Sequence, residues 1–215
     1  MLLLSLCIGA SSLSAQTSPS RGTCFRGRIR AACNGFVVLE ASANASQGGS
    51  HSSVVQNPPG SDPPRTTFFY DDLPSYLSGS FGYVRVVDAR TAIGGVVEVG
   101  FPDDLTPSRV ALMARCRRQL TDATLDVSAG PLTVGVRQQQ VTGLEAPRAF
   151  GATVETALLY HGYAGLTGGI DVIHGAGRTT AGVRAGIRTG SYAAIATTVI
   201  SGVVYVIAMS GYHAT

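Results

Sequence analysis

The residues able to do chemistry in this chain are few, and their spacing does not suit it. Glu155 and His161 fall on one side of an alternating segment, but six positions along a strand separate them by about 20 Å, too far to couple directly. His51-Ser52-Ser53 brings a base and a nucleophile together with no acid fixed beside them, so neither group supplies the geometry by which a hydrolytic triad is recognised. The histidines, at 51, 161, 174 and 213, show no ligand spacing, and the cysteines do not stand at the separations of a zinc site. No metal and no cofactor is therefore expected. No phosphate-cradling glycine loop occurs either; Gly94-Gly95 and Gly168-Gly169 fit curvature within strands. What does recur is ionic. Glu40, Arg85, Glu98, Arg115, Arg117, Asp126, Arg137, Glu155, Asp171, Arg184 and Arg188 each stand on the polar side of a segment whose other side is apolar.

The elements that must position these charges are clearest between Arg109 and Arg137. Val110, Leu112, Ala114 and Cys116 fall on one side, with Ala111, Met113, Arg115, Arg117 and Gln119 on the other. After Thr121-Asp122 the alternation resumes, Leu125, Val127 and Ala129 against Thr124, Asp126 and Ser128. A period of two with unlike faces specifies β-strands. A two-residue turn at Thr121-Asp122 sets Arg117 opposite Asp126, Arg115 opposite Ser128, Cys116 opposite Val127 and Ala114 opposite Ala129. Gly130-Pro131 reads as a bulge or bend, after which Leu132, Val134 and Val136 continue the apolar side and Arg137 the polar one.

Similar segments occupy much of the chain. Phe36–Ser42 places Val37, Leu39 and Ala41 opposite Glu40. Ser80–Val87 and Thr91–Gly100 form a hairpin about a tight link at Ala89-Arg90, with Val84, Val86, Ile93, Gly95 and Val97 on one face and Tyr83, Arg85, Val96 and Glu98 on the other. Phe150–His161 alternates Phe150, Ala152, Val154, Thr156, Leu158 and Tyr160 against Thr153, Glu155 and His161. Ile170 and Val172 oppose Asp171, and Thr179–Thr189 sets Ala181, Val183, Ala185 and Ile187 against Arg184 and Arg188. Several segments reach lengths closer to the roughly 9–11 residues of a tilted transmembrane strand than to the five or six usual in soluble domains. The connections run long (44–65), short (89–90), medium (101–107), short (121–122), long (138–148), short (162–164) and medium (174–178). That rhythm matches a transmembrane barrel, with turns on one side and loops on the other. A Greek-key sandwich has no reason to show it. The expected fold is all-β: an antiparallel up-and-down transmembrane β-barrel of eight strands.

The two ends add constraints. Met1–Ala15 is an apolar run ending in small residues and reads as a secretory signal peptide, with 16–35 an N-terminal segment and 36–215 the barrel domain. Export to an oxidising compartment would let Cys24 and Cys33 close a small disulfide loop before the first strand; two free thiols is the other reading. Cys116 reads as a small apolar residue on the lipid side. Tyr192–Tyr212 is uncharged and equally apolar on both faces. Its length would suit a helix, but its β-branched residues favour a further strand, raising the count to ten.

Charged residues make up only 13% of the 215 and the mean hydropathy is +0.22, unlike an ordinary soluble protein. All 16 basic residues are Arg, spread along strands, and a net charge of +3 gives no basic stripe, so nucleic acid is not an expected partner.

With its signal-like start, the Cys24-Phe-Arg-Gly-Arg28…Cys33 opening, and Arg115-Cys-Arg-Arg-Gln-Leu120 followed by Leu125-Asp-Val-Ser-Ala-Gly130, the chain resembles the small bacterial outer-membrane β-barrel proteins, an uncharacterised group of them. The resemblance implies an outer-membrane location, contact with outer-membrane lipid and insertion by the barrel assembly machinery. In that family the usual assembly signal is a terminal strand ending in an aromatic residue, and Tyr212 is the nearest one here. Any aromatic girdle must come from residues such as Tyr76, Phe81, Phe101, Phe150, Tyr160, Tyr192 and Tyr205, since the chain has no Trp.

The expected role is structural, adhesive or small-solute transport, without catalysis, and the extracellular partner is unknown. Inside an eight-stranded barrel the charges would pair across strands, because side chains fill so narrow a lumen. A narrow anion-preferring pore is the other reading of the Arg excess. Two further classes stay open: a soluble periplasmic lipocalin-like barrel holding an apolar ligand, and an outer-membrane hydrolase with its site at the rim. Which face is dry separates the first from a membrane protein.

Overall fold

The structure is a computed structural model, and it describes residues 22–24, 33–48, 51–52, 69–70, 75–101, 108–134, 149–175 and 178–200. The signal-like residues 1–15, Arg137, the loop 138–148 and residues 201–215 lie outside the described residues, as does most of the loop read at 44–65. The strands are β1 (Gly22–Cys24), β2 (Cys33–Gly48), β3 (His51–Ser52), β4 (Phe69–Tyr70), β5 (Ser75–Val86), β6 (Thr91–Phe101), β7 (Arg109–Gln119), β8 (Ala123–Val134), β9 (Ala149–Tyr160), β10 (Ala164–Gly175) and β11 (Arg178–Gly190). β2 and β5 to β11 pair antiparallel with their neighbours in order, and β2 pairs with both β11 and β5, which closes the sheet. The chain is thus a closed eight-stranded antiparallel β-barrel; β3 and β4 form a separate ribbon between β2 and β5.

The registers fix the barrel's dimensions. Following paired residues round the wall leads from Phe36 to Val84, Gly94, Arg115, Ser128, Glu155, Gly169 and Arg184, and back onto β2 at Ser46, ten residues above the start. A shear of ten on eight strands tilts them by roughly 40°. At that tilt an 11-residue strand rises about 28 Å along the axis.

Each barrel strand sorts its side chains by face. Leu77, Phe81, Ile93, Leu112, Val154, Leu158, Leu166, Ile170, Val183 and Ile187 form an exposed belt round the outside. Tyr83, Tyr160 and Tyr163 stand exposed towards the short-turn end, and Phe150 towards the other. Tyr76, expected in this girdle, is instead buried inside, and Phe81 lies mid-wall opposite Leu39 and Val97.

The β7–β8 hairpin has the register that the alternation specifies, with Arg117 opposite Asp126 and Arg115 opposite Ser128. Pro131 makes no bulge: the offset between β7 and β8 is the same on both sides of it, and pairing lapses only at Leu112 and Met113. Proline has no N–H to donate there. The close strand approach needs Gly130, since a Cβ on it would meet the Met113 Cα at 2.8 Å. Because the alternation passes through Pro131 unbroken, Leu132 is buried inside instead of facing outward.

β5 departs more sharply. A two-residue turn at 89–90 would pair Val86 with Ile93, but Val86 pairs with Ala92 and Arg85 with Ile93. The turn is wider than expected. Val87 N and Asp88 N both donate to Thr91 O, at 3.0 and 3.2 Å, and Asp88 Oδ1 accepts from Arg90 N at 2.7 Å. A slip of one residue exchanges the two faces of a strand. Val84 is therefore inside, while Tyr83 and Arg85 are outside.

Two further expectations are corrected. β10 and β11 are joined through two residues, not the longer turn read at 174–178, so the last connection on the loop side is as short as the turns. Beyond β11 the strand expected from Tyr192 is not formed over the described part: residues 191–200 are helical, and the rest of that stretch lies outside the described residues. Ser191, with φ of 59°, turns the chain out of the sheet at that point.

The N-terminal segment joins the barrel. β1 runs parallel to the start of β2, beside the stretch below Glu40 where the β11 pairing stops. Cys24 is disulfide-bonded to Cys33. Cys116, outward and half-buried, is also disulfide-bonded, which corrects its reading as a plain apolar residue.

Candidate functional site

The interior has two halves built by different chemistry. One wall is apolar: Phe36 and Val38 of β2, Val84 of β5, Val96 of β6, Met113 of β7 and Leu132 of β8 pack into a single cluster with Cys33, Ala92 and Ala111. Among the described residues, the rest of the lumen pairs five arginines with five carboxylates, whose formal charges cancel. Arg109, Arg115, Arg117, Arg184 and Arg188 meet Glu40, Glu98, Asp126, Glu155 and Asp171.

The pairs form one connected net. Nearest the turns, Arg117 grips Asp126 with two bonds, Nε to Oδ1 at 2.7 Å and Nη2 to Oδ2 at 2.6 Å, and reaches Glu40 Oε1 at 2.6 Å. Arg115 donates to Glu40 Oε2 at 2.5 Å and to Ser128 Oγ at 2.8 Å, and lies 3.6 Å from Glu155. Arg188 stands 2.5 Å from Glu155 Oε1 and 3.5 Å from Glu98 Oε2, with its Nε donating to Ser42 at 3.0 Å. Towards the loops, Arg184 donates to Glu155 Oε2 at 2.7 Å and Thr153 Oγ1 at 3.1 Å. Arg109 closes the top, with bonds to Glu98 at 3.0 Å and Asp171 at 2.6 and 3.2 Å, under the ring of Tyr76.

These contacts cross the lumen as well as the wall. Glu40 on β2 joins Arg115 and Arg117 on β7, and Glu98 on β6 reaches Arg184 and Arg188 on β11. The arginines suit this work because a rigid guanidinium fork holds two carboxylates at fixed angles. Space is made for them by Gly169, where a Cβ would stand 3.0 Å from Arg184 Nε. Glu98, Arg115, Asp126, Glu155 and Arg188 are each at most 1% exposed, so the net is shut off from bulk solvent.

The structure brings together Glu40, Glu98, Arg115, Arg117, Asp126, Glu155, Asp171, Arg184 and Arg188 of the residues singled out by sequence. It does not bring in Arg85, which is on the outer face for the register reason above, and Arg137 lies outside the described residues. Sequence reasoning missed Arg109, although it shares the parity of Ala111, Met113 and Arg115. The Glu155–His161 pair shows no convergence: Glu155 is committed to arginines, while His161 sits in the turn with φ of 49° and donates its N–H to Asp122 O at 2.8 Å. Among the described residues no group of three or more His, Cys, Asp or Glu side chains could hold a metal ion.

Fold and interior together define a class: a closed β-barrel whose lumen is filled by paired charges and an apolar wall, with aliphatic side chains outside. No family model matches the chain, and no curated protein matches it. A solved structure it resembles is the N-terminal β-barrel domain of Pseudomonas aeruginosa OprF, at 12% identity and a TM-score of 0.42, over 71% of this chain and 96% of that one. That likeness is too slight to add to what the registers establish.

Proposed function

We propose that this protein is a bacterial outer-membrane β-barrel with a structural or adhesive role, inserted by the barrel assembly machinery and without catalysis. The observation that carries the reading is its inverted polarity: ten paired charges are enclosed by the wall, while the outer belt is aliphatic. In water that belt would be a contiguous apolar surface far larger than soluble monomers tolerate. In a bilayer it matches a hydrocarbon core of roughly 30 Å. A soluble barrel carrying an apolar ligand needs the opposite sorting.

Support for a structural role over a solute pore comes from the packing of the interior. Among the described residues the net is charge-balanced and its members hold one another, so it leaves no surplus of Arg to attract anions. Short turns would face the periplasm and the connections 49–74 and 135–148 the exterior, where an adhesive partner would bind.

Cell fractionation with heat-modifiable gel mobility tests the location. A folded barrel is recovered with the outer membrane and changes mobility only after boiling in SDS; recovery from the soluble periplasm would overturn the assignment. Planar-bilayer recording tests the role: a filled lumen gives no stable open channel, and steady anion-selective conductance would restore the pore reading.

A further inference from the structure

Resting on the membrane location just proposed, we infer that residues 191–200 are a second membrane-contacting element, a helix folded back against the barrel's outer wall with its free face in lipid. Three observations converge on it. First, Ser191 adopts a left-handed backbone, φ 59°, where β11 ends, reversing the chain at the turn end of the barrel. Second, the helix returns to the wall it has just left: Thr197 Oγ1 lies 3.2 Å from Thr189 Oγ1 on β11, and Ser191 and Ala194 are buried. Third, the opposite face is apolar and exposed, with Ile195, Val199 and Ile200 reaching solvent.

The occupant of that face follows from continuity and charge. Ile187, an exposed member of the aliphatic belt, lies just before the reversal, so belt and helix face form one apolar surface. Neither Asp, Glu, Lys nor Arg occurs from Thr189 to Thr215, so the helix face offers no charge to an ionic partner. The threonine hydroxyls of the helix bond back to it: Thr197 Oγ1 donates to Ala193 O and Thr198 Oγ1 to Ala194 O. An apolar, internally bonded helix is what acyl chains accept. Residues 191–200 extend only about 15 Å, half of what a crossing needs, so this part occupies the leaflet at the turn end.

The absence of Trp from the chain provides a clean probe. Val199→Trp and, separately, Leu112→Trp place a lone indole on the helix and on the belt, at sites of matching exposure (59% and 60%). Each full-length variant is reconstituted into phosphatidylcholine vesicles, with or without bromine on the acyl chains, and its folding is checked by heat-modifiable mobility. Both indoles should emit to the blue and lose most of their intensity to brominated lipid, while aqueous iodide has little effect. If Leu112→Trp is quenched by bromine but Val199→Trp is quenched by iodide, the helix inference fails and the membrane location stands. An indole at 199 shielded from both quenchers would mean a second copy of the chain covers the helix, which also overturns it. Iodide quenching of both would sink the membrane reading itself. Ile200→Trp repeats the measurement should the first helix variant not fold.

Discussion

The two halves of the interior fill the same space, yet they constrain the fold differently. The apolar cluster around Phe36, Val84, Val96 and Met113 needs volume and little else, because dispersion and burial carry no direction. The ionic half needs direction at every contact. Arg117 must meet Asp126 beside it and Glu40 on a distant strand at once, and Glu155 must serve Arg184 with one oxygen and Arg188 with the other. A change of shear that moved β2 against β7 would leave the apolar wall still apolar but would strand several buried charges. The ionic net is therefore the part that specifies one barrel among its neighbours in strand number and shear, while the cluster supplies bulk stabilisation.

The comparison is broken most severely at Glu155. Replacing it with Ala leaves Arg184 and Arg188 without their nearest carboxylate in a buried interior, and removing one partner of a buried pair costs about 3–5 kcal/mol. Two arginines are affected, so the upper end is expected, read as a lowered urea midpoint in detergent micelles. Asp126→Ala should cost about 3 kcal/mol, since Arg117 keeps Glu40 when its bidentate partner is lost. Adding Arg117→Met and changing Asp126 to Leu instead should recover most of that loss, because an apolar pair leaves no stranded charge there. An unchanged midpoint for Asp126→Ala would show that the pair is not enclosed.

On the apolar side, Met113→Ala should cost about 2–3 kcal/mol through the cavity it leaves, with no rescue by a charged residue elsewhere. Any rescue would mean that the two halves are not energetically separate.

How far the interior could be read in advance follows the same division. β7 and β8 were legible because Arg115, Arg117 and Asp126 make one face unlike the other, and a slip of one residue would expel them. Arg109 obeyed the same parity but stood at the strand's first position, where a loop residue is an equally good description. β5 was not legible. Its two faces differ little, since Phe81 and Leu77 look out while Val84 and Val86 look in, so its register rested on the turn. That turn is held by the Asp88 carboxylate accepting from Arg90 N and by the Val87 and Asp88 amides donating to Thr91 O, which period-two patterning does not register. The end of β11 failed for another reason. β-branched residues after Ser191 favour strand locally, but the barrel is already closed, with β11 paired to β10 on one side and β2 on the other.

Arg85 sharpens the comparison with the smallest effect. By sequence pattern it belongs with the lumen arginines; in the structure it lies outside, opposite Ile93 and Gly35 at the turn end. The two placements predict opposite energetics for one substitution. Were Arg85 inside, Arg85→Ala would strand a buried carboxylate and cost several kcal/mol, as at the other arginines. On the outer rim the side chain extends towards water, and its loss should change stability by no more than about 0.5 kcal/mol. Chemical denaturation of Arg85→Ala beside Arg115→Ala makes the distinction directly, because both are Arg-to-Ala changes on adjoining parts of one wall. A large loss at both positions would restore the tighter turn at 89–90 and turn the inner face of β5 outward.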